Sequence, residues 1–195
     1  METEEIREKK EPKRLPVWAC ILLFALGLFV CMGLYGTIGF GLLSLILGDE
    51  ARHPGLLVYT VTEANMLLSV LTPAVILLYF ERRPFSDLGL TLKGHVRGLW
   101  YGLLVAMLLY LIGFGLSLAI GEVEVTGFQF DPLNLLGTFV FCLLVALTEE
   151  IMMRGYILGR LLHTRMNKFL ALFVSALLFA LLHIFNPNVA FLPML

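Results

Sequence analysis

Apolar residues occupy most of the chain in five long segments that are separated by short polar connections. The segments cover residues 17–48, 56–80, 99–120, 133–158 and 169–185. A helix needs about 20 apolar residues to cross a bilayer, so each segment predicts a spanning helix, the last one barely long enough. The first is too long for one straight span, and its glycines would allow a bend or close helix packing. The pattern predicts an all-α fold, a polytopic transmembrane helix bundle with about five spanning segments.

The composition agrees with a membrane protein. The chain has 195 residues, of which 59% are hydrophobic and only 15% charged, and its mean hydropathy is +0.89. The lipid bilayer is therefore the first expected partner, since a soluble domain carries roughly 25% charged residues. A net charge of −1 and the lack of a basic stripe exclude nucleic acid. The three cysteines (Cys20, Cys31 and Cys142) lie in apolar segments and are interpreted as small buried hydrophobic residues.

The basic residues in the connections predict an orientation. From the N-terminus onward the connections carry five, one, four, none and three Lys or Arg residues, an alternation that the positive-inside rule produces when the N-terminus is cytoplasmic. Residues 1–16 then form a charged cytoplasmic segment, and residues 17–80 form two N-terminal transmembrane segments. The short connections suit an integral, multi-pass protein of a prokaryotic cytoplasmic membrane.

The stretch VALTEEIMMRGY places Glu149, Glu150 and Arg154 inside the fourth apolar segment. A charged residue at the centre of a spanning helix costs about 2.5–3.5 kcal/mol on insertion scales, so these three should face protein or a wet cavity. Glu150 and Arg154 are four residues apart with the acid first, the favourable order for an ion pair on one helix face. Glu149 is rotated by about 100° from Glu150 on an α-helix and needs a partner on another helix.

His183 is the only ionisable residue of the last apolar segment and is the expected partner of Glu149. Antiparallel helices joined by a short connection pack side by side, which would bring the two side chains together. A carboxylate and an imidazole that share a water form a general base, and the same pair could supply two of three ligands for a divalent metal such as zinc. Purely structural alternatives also stand: the Glu–Arg pair could fix helix register, and the histidine could make an interhelical hydrogen bond.

Other polar residues carry weaker expectations. Glu63 and Asn65 are expected at the membrane interface. The remaining histidines (His53, His95 and His163) are expected in solvated connections. Asn186-Pro187-Asn188 is typical of a helix stop and turn.

At these residues the sequence resembles the CPBP (Abi) family of CAAX-processing and bacteriocin-processing intramembrane proteases. Glu149, Glu150 and Arg154 match its E-E-x-x-x-R motif, and Phe179 with His183 matches its F-x-x-x-H motif. The connection RRPFSDLGL, residues 82–90, also resembles the family. The resemblance implies that Glu149 and His183 position a catalytic water while Glu150, Arg154 and Phe179 support the site. Residues 81–195 would form the protease core.

A third family motif, H-x-x-x-N or a variant, has no match after His183. The chain is therefore expected to be a partial core, inactive as given, of an intramembrane endopeptidase. Its substrates would be peptides or proteins that are membrane-associated, prenylated or leader-bearing. A metal-free mechanism is favoured, with no confident metal ligand; Glu149 and His183 would be the ligands if a metal such as zinc were present. The alternatives are a non-catalytic membrane protein, a scaffold or a bacteriocin self-immunity protein, and a proton-coupled transporter.

Overall fold

A computed structural model describes residues 15–53, 55–91 and 93–184. These residues form helices and connections without any strand, which confirms the predicted all-α fold. The helices are α1 (Val17–Leu47), α2 (Leu56–Phe80), α3 (Val96–Ala119), α4 (Pro132–Glu149), a π-helix (Glu150–Leu158), α5 (Gly159–Leu162) and α6 (Lys168–His183), with 3-10 turns at Gly48–Arg52 and Phe85–Leu88.

Four helices in the described residues are long and apolar enough to cross a membrane: Val17–Arg52, Leu56–Phe80, Val96–Ala119 and Pro132–Leu162. The fifth predicted segment forms α6, which at 16 residues is shorter than a full span. The chain is thus a polytopic helical membrane protein with four candidate spans and a shorter fifth apolar helix. The basic N-terminal residues 7–14, Phe185 and Asn186-Pro187-Asn188 lie outside the described residues.

Helix α1 is one uninterrupted helix of 31 residues, about 46 Å long, and must tilt to fit a core about 30 Å thick. Two of its glycines permit close packing on α2. A Cβ atom on Gly27 would lie 2.8 Å from Cβ of Pro73, and one on Gly39 would overlap the side chain of Asn65. Asn65, expected at the interface, therefore lies between two helices.

Contacts between helix ends show which helices run in the same direction and which run in opposite directions. The start of α1 meets the end of α2, where Sγ of Cys20 lies 2.8 Å from Oε1 of Glu81. At the opposite end α2 and α4 both begin, and the Leu56 side chain lies against Gly137. Helices α2 and α4 are therefore parallel to each other and antiparallel to α1, as the alternation of basic connections predicts.

The core lies where α1, α2, the π-helix and α6 meet. Phe24 of α1 stacks on Tyr156 of the π-helix with ring centroids 4.3 Å apart, and both rings are buried. The other buried apolar residues of this core are Val70, Ala74, Leu78, Leu88, Ile151, Met152, Met153, Ile157, Leu161 and Ala171. None of the 24 residues of α3, all of them described, is buried. The packing is thus concentrated around the segment that carries the first motif.

Candidate functional site

The carboxylate of Glu149 and the imidazole of His183 lie on two neighbouring helices and face each other. Oε1 of Glu149, at the end of α4, lies 3.4 Å from Nε2 of His183, at the end of α6. The two side chains are 35% and 38% exposed, respectively. The structure therefore brings together the two residues that the sequence singles out, with both side chains partly exposed. Their catalytic role stays a prediction.

Phe179 fixes the orientation of the His183 ring. Nδ1 of His183 lies 3.0 Å from the carbonyl oxygen of Phe179, one helical turn earlier, and the two rings are 4.4 Å apart at their centroids. A carbonyl oxygen can only accept, so Nδ1 carries the proton that makes this bond. In a neutral ring, Nε2 is then the acceptor nitrogen, and it is the atom that faces Glu149.

Glu150 and Arg154 form the ion pair that their spacing predicts, with Nη1 of Arg154 2.5 Å from Oε1 of Glu150. Both side chains are more than half exposed in the described part of the chain, so the expectation that they face protein or a wet cavity stays a prediction. The Arg154 guanidinium carbon also lies 5.9 Å from the centroid of the Phe179 ring. The pair thus borders the site through Phe179 and lies on a different face from Glu149.

The first motif continues from α4 into a π-helix rather than an α-helix. This segment, Glu150–Leu158, begins directly after Glu149 and carries Glu150 and Arg154. A Cβ atom on Gly155 would lie 2.6 Å from the carbonyl oxygen of Leu88, so only glycine lets the Phe85–Leu88 turn approach this closely. The stretch RRPFSDLGL, noted for its resemblance to the family, therefore packs against the continuous helix Pro132–Leu162 that carries the first motif, called the motif helix from here on. π-Helical segments often occur at functional sites, but the sequence shows no signal for one here.

Sequence reasoning missed a second polar cluster, at the end where α1 begins. Arg160 of α5 forms an ion pair with Glu81, which follows α2, and their side chains are only 7% and 11% exposed. The Cys20 thiol donates to Oε1 of Glu81, and the Tyr156 hydroxyl donates to the Cys20 carbonyl at 3.4 Å. Cys20 is buried as predicted, but it is also part of this hydrogen-bonded cluster. Glu81 and Arg160 look like ordinary connection charges in the sequence because each stands at a segment boundary.

A zinc site does not fit the residues that the structure describes. No group of three or more His, Cys, Asp or Glu side chains comes together among them, and Glu149 with His183 supplies only two ligands. Catalytic zinc sites use three protein ligands and leave one position for water.

The helices and this polar pair define a multi-pass membrane protein with an acid–imidazole pair between two of its helices. Residues 131–195 match the family model described as "Type II CAAX prenyl endopeptidase Rce1-like". This match contains both motifs and confirms, for the C-terminal third of the chain, the predicted resemblance to CAAX-processing proteases. Comparisons with curated proteins and with solved structures gave no match.

Proposed function

We propose that this protein is an intramembrane endopeptidase in which Glu149 and His183 activate a water molecule to cleave a peptide bond. The observation that carries the proposal is the 3.4 Å approach of the two side chains, both partly exposed, within a segment that matches a family of prenyl endopeptidases. We further place the protein in the cytoplasmic membrane of a prokaryote, because the connections between its apolar segments are short.

The orientation of the histidine gives the two residues complementary roles. With the proton on Nδ1, both Nε2 of His183 and the carboxylate of Glu149 accept hydrogen bonds, so one water can donate to both. That water then directs its free lone pairs away from the pair and toward a carbonyl carbon. Acceptors bonded to one water at ordinary distances lie about 4.4 Å apart, so the pair opens by about 1 Å to admit it.

In the proposed hydrolysis, Glu149 acts as a general base that first accepts a proton and then returns it. The water oxygen forms a bond to the carbonyl carbon while Glu149 takes the water proton. The C–N bond breaks next, and the same proton passes from Glu149 to the leaving nitrogen, which departs as an amine. Glu149 is thereby regenerated as a carboxylate. General-base catalysis of this kind typically contributes about 10²–10⁴-fold in rate.

The substrate that we propose is a peptide held at the membrane by a lipid group near its C-terminus. The name of the matched family refers to prenyl endopeptidases, and the site lies between apolar helices. A prenyl chain would partition into the bilayer and bring the adjacent peptide bond to the site. A leader-bearing or other membrane-associated peptide is the alternative substrate and serves as a second probe in the test.

The test is cleavage of a farnesylated reporter peptide by membranes that contain the full-length protein, either wild-type or with the substitution Glu149→Gln. The amide cannot take a proton from water, so we expect cleavage to fall by about 10²-fold or more at an equal amount of inserted protein. Glu122→Gln, which changes an exposed carboxylate in the connection after α3, is the matched control and should cleave normally. Equal cleavage by the wild-type and Glu149→Gln chains would overturn the mechanism.

A further inference from the structure

Ser175 of α6 makes a hydrogen bond that differs from those of most helical hydroxyl groups in this chain. Its Oγ donates to the carbonyl oxygen of Met153 in the π-helix, at 3.3 Å and in a buried position. In contrast, six hydroxyl side chains in the other described helices donate to the carbonyl four residues earlier in their own helix: Thr37, Thr60, Thr62, Ser69, Thr72 and Thr148. Bonding within the helix is the usual choice for such residues. The Ser175 hydroxyl instead links two helices.

The link belongs to a row of three contacts between α6 and the motif helix. Ser175, Phe179 and His183 follow each other at intervals of four and share one face of α6. Ser175 touches Met153, the Phe179 ring lies 5.9 Å from the guanidinium of Arg154, and His183 faces Glu149. The last of the three, His183, meets the earliest partner, Glu149, while Ser175 and Phe179 lie beside the later Met153 and Arg154, as expected for antiparallel packing.

All three contacts depend on the axial position of α6 relative to the motif helix. A shift of α6 by one residue would move its side chains by about 1.5 Å along the axis and rotate them by about 100°. It would separate Ser175 from the Met153 carbonyl and His183 from Glu149 together. Misplacing a reacting group by 1 Å can cost about 10²-fold in rate, so the register matters for any chemistry at the pair.

We propose that Ser175 is a positioning residue that holds the axial register of α6 against the π-helix, and thereby the separation between the Glu149 carboxylate and the His183 imidazole. The part of this proposal that concerns turnover rests on the proposed function. The geometric part can be tested without any enzymatic activity.

Crosslinking tests the geometry. Glu149 and His183 are replaced by cysteine in a chain whose Cys31 and Cys142 are changed to serine, and a short bifunctional thiol reagent is applied to the membranes. The native Cys20 stays, because it is buried and bonded to Glu81. Adding Ser175→Ala should lower the crosslinking yield severalfold. Ser69→Ala is the matched control, since Ser69 is 1% and Ser175 4% exposed, but the Ser69 hydroxyl bonds within its own helix. Equal yields for the two variants would overturn the proposal.

Steady-state kinetics test the effect of Ser175 on turnover, in a chain without the cysteine substitutions. Ser175→Ala should lower kcat on the farnesylated peptide by about 10-fold and leave KM unchanged, because the alignment of the pair changes and substrate contacts do not. Ser175→Thr keeps the hydroxyl and should recover most of the rate, and Ser69→Ala should match the wild type. A rate that falls only in proportion to the amount of inserted protein would contradict a positioning role. If no chain cleaves any peptide, the proposed function fails, while the crosslinking result still decides the role of Ser175.

Discussion

Two acid–base pairs connect helices in the described part of the chain, and they differ mainly in how exposed their side chains are. The Glu149–His183 pair is more than one-third exposed, whereas the Glu81–Arg160 pair is nearly closed off by α1, α2 and the π-helix. Glu81 and Arg160 are further held by Cys20 and by the ring of Tyr156. A buried ion pair suits a structural role, while an open pair that includes an imidazole can bind and deprotonate water. Accessibility and proton chemistry, rather than charge alone, therefore separate the candidate site from the structural pair.

The largest expected effect comes from breaking the structural pair. Arg160→Met leaves the Glu81 carboxylate buried without its counter-charge, which typically costs about 3–5 kcal/mol. We expect much less folded protein in the membrane, measured by accumulation and by resistance to limited proteolysis. The double variant Glu81→Leu with Arg160→Met removes both charges and should recover most of the loss. Normal accumulation of the single variant would contradict the structural role of the pair.

The next effect concerns the open pair. His183→Ala removes the ring nitrogen that faces Glu149 and should lower cleavage of the farnesylated peptide by about 10²-fold. Accumulation should stay near normal because the ring is partly exposed. His95→Ala, at an exposed histidine that bonds only to the Lys93 carbonyl among the described residues, is the control. If the His183→Ala protein instead fails to accumulate, His183 has a structural rather than a catalytic role.

A smaller effect is expected where the motif helix meets the Phe85–Leu88 turn. Gly155→Ala forces a methyl group against the Leu88 carbonyl and should destabilise the fold by about 1–3 kcal/mol, as overpacking usually does. Gly113→Ala in α3, where an added Cβ would meet no atom of the described chain within 4 Å, should be neutral or slightly stabilising. Thermal unfolding in detergent compares the two. Equal unfolding temperatures would mean that the turn does not pack against Gly155.

The smallest effect is expected at the exposed ion pair. Glu150→Gln removes an i,i+4 interaction that is worth about 0.2–1 kcal/mol when solvent reaches it. The same unfolding assay should show a far smaller shift than Arg160→Met. A loss as large as that of Arg160→Met would show that the pair is covered in the membrane.

Much of the fold could be predicted from the sequence, because length and hydrophobicity determine which segments can span a bilayer. The second apolar segment coincides with α2, and the predicted pairing of Glu150 with Arg154 is present. Spacing also singled out Glu149 and His183, since an ionisable residue deep in an apolar run needs a partner. These features depend on local period and composition, which a single sequence contains.

The features that could not be predicted depend on which faces of the helices meet. Glu81 and Arg160 stand at segment ends, where charges are ordinary, so their burial against Cys20 was not visible. The π-helix has no sequence signature, and the tight fit of Gly155 against Leu88 depends on a turn that lies far away in the chain. Tertiary packing, rather than local propensity, decides all three.

The most direct measurement compares Glu149→Gln with Glu81→Gln as cleavage per inserted molecule, in membranes prepared side by side. Both substitutions replace one carboxylate oxygen with an amide group. We predict that Glu149→Gln inserts normally but loses its specific activity, whereas Glu81→Gln accumulates poorly while the surviving molecules keep theirs. The reverse pattern, with a fully active Glu149→Gln chain, would contradict the claim that the open pair does the chemistry.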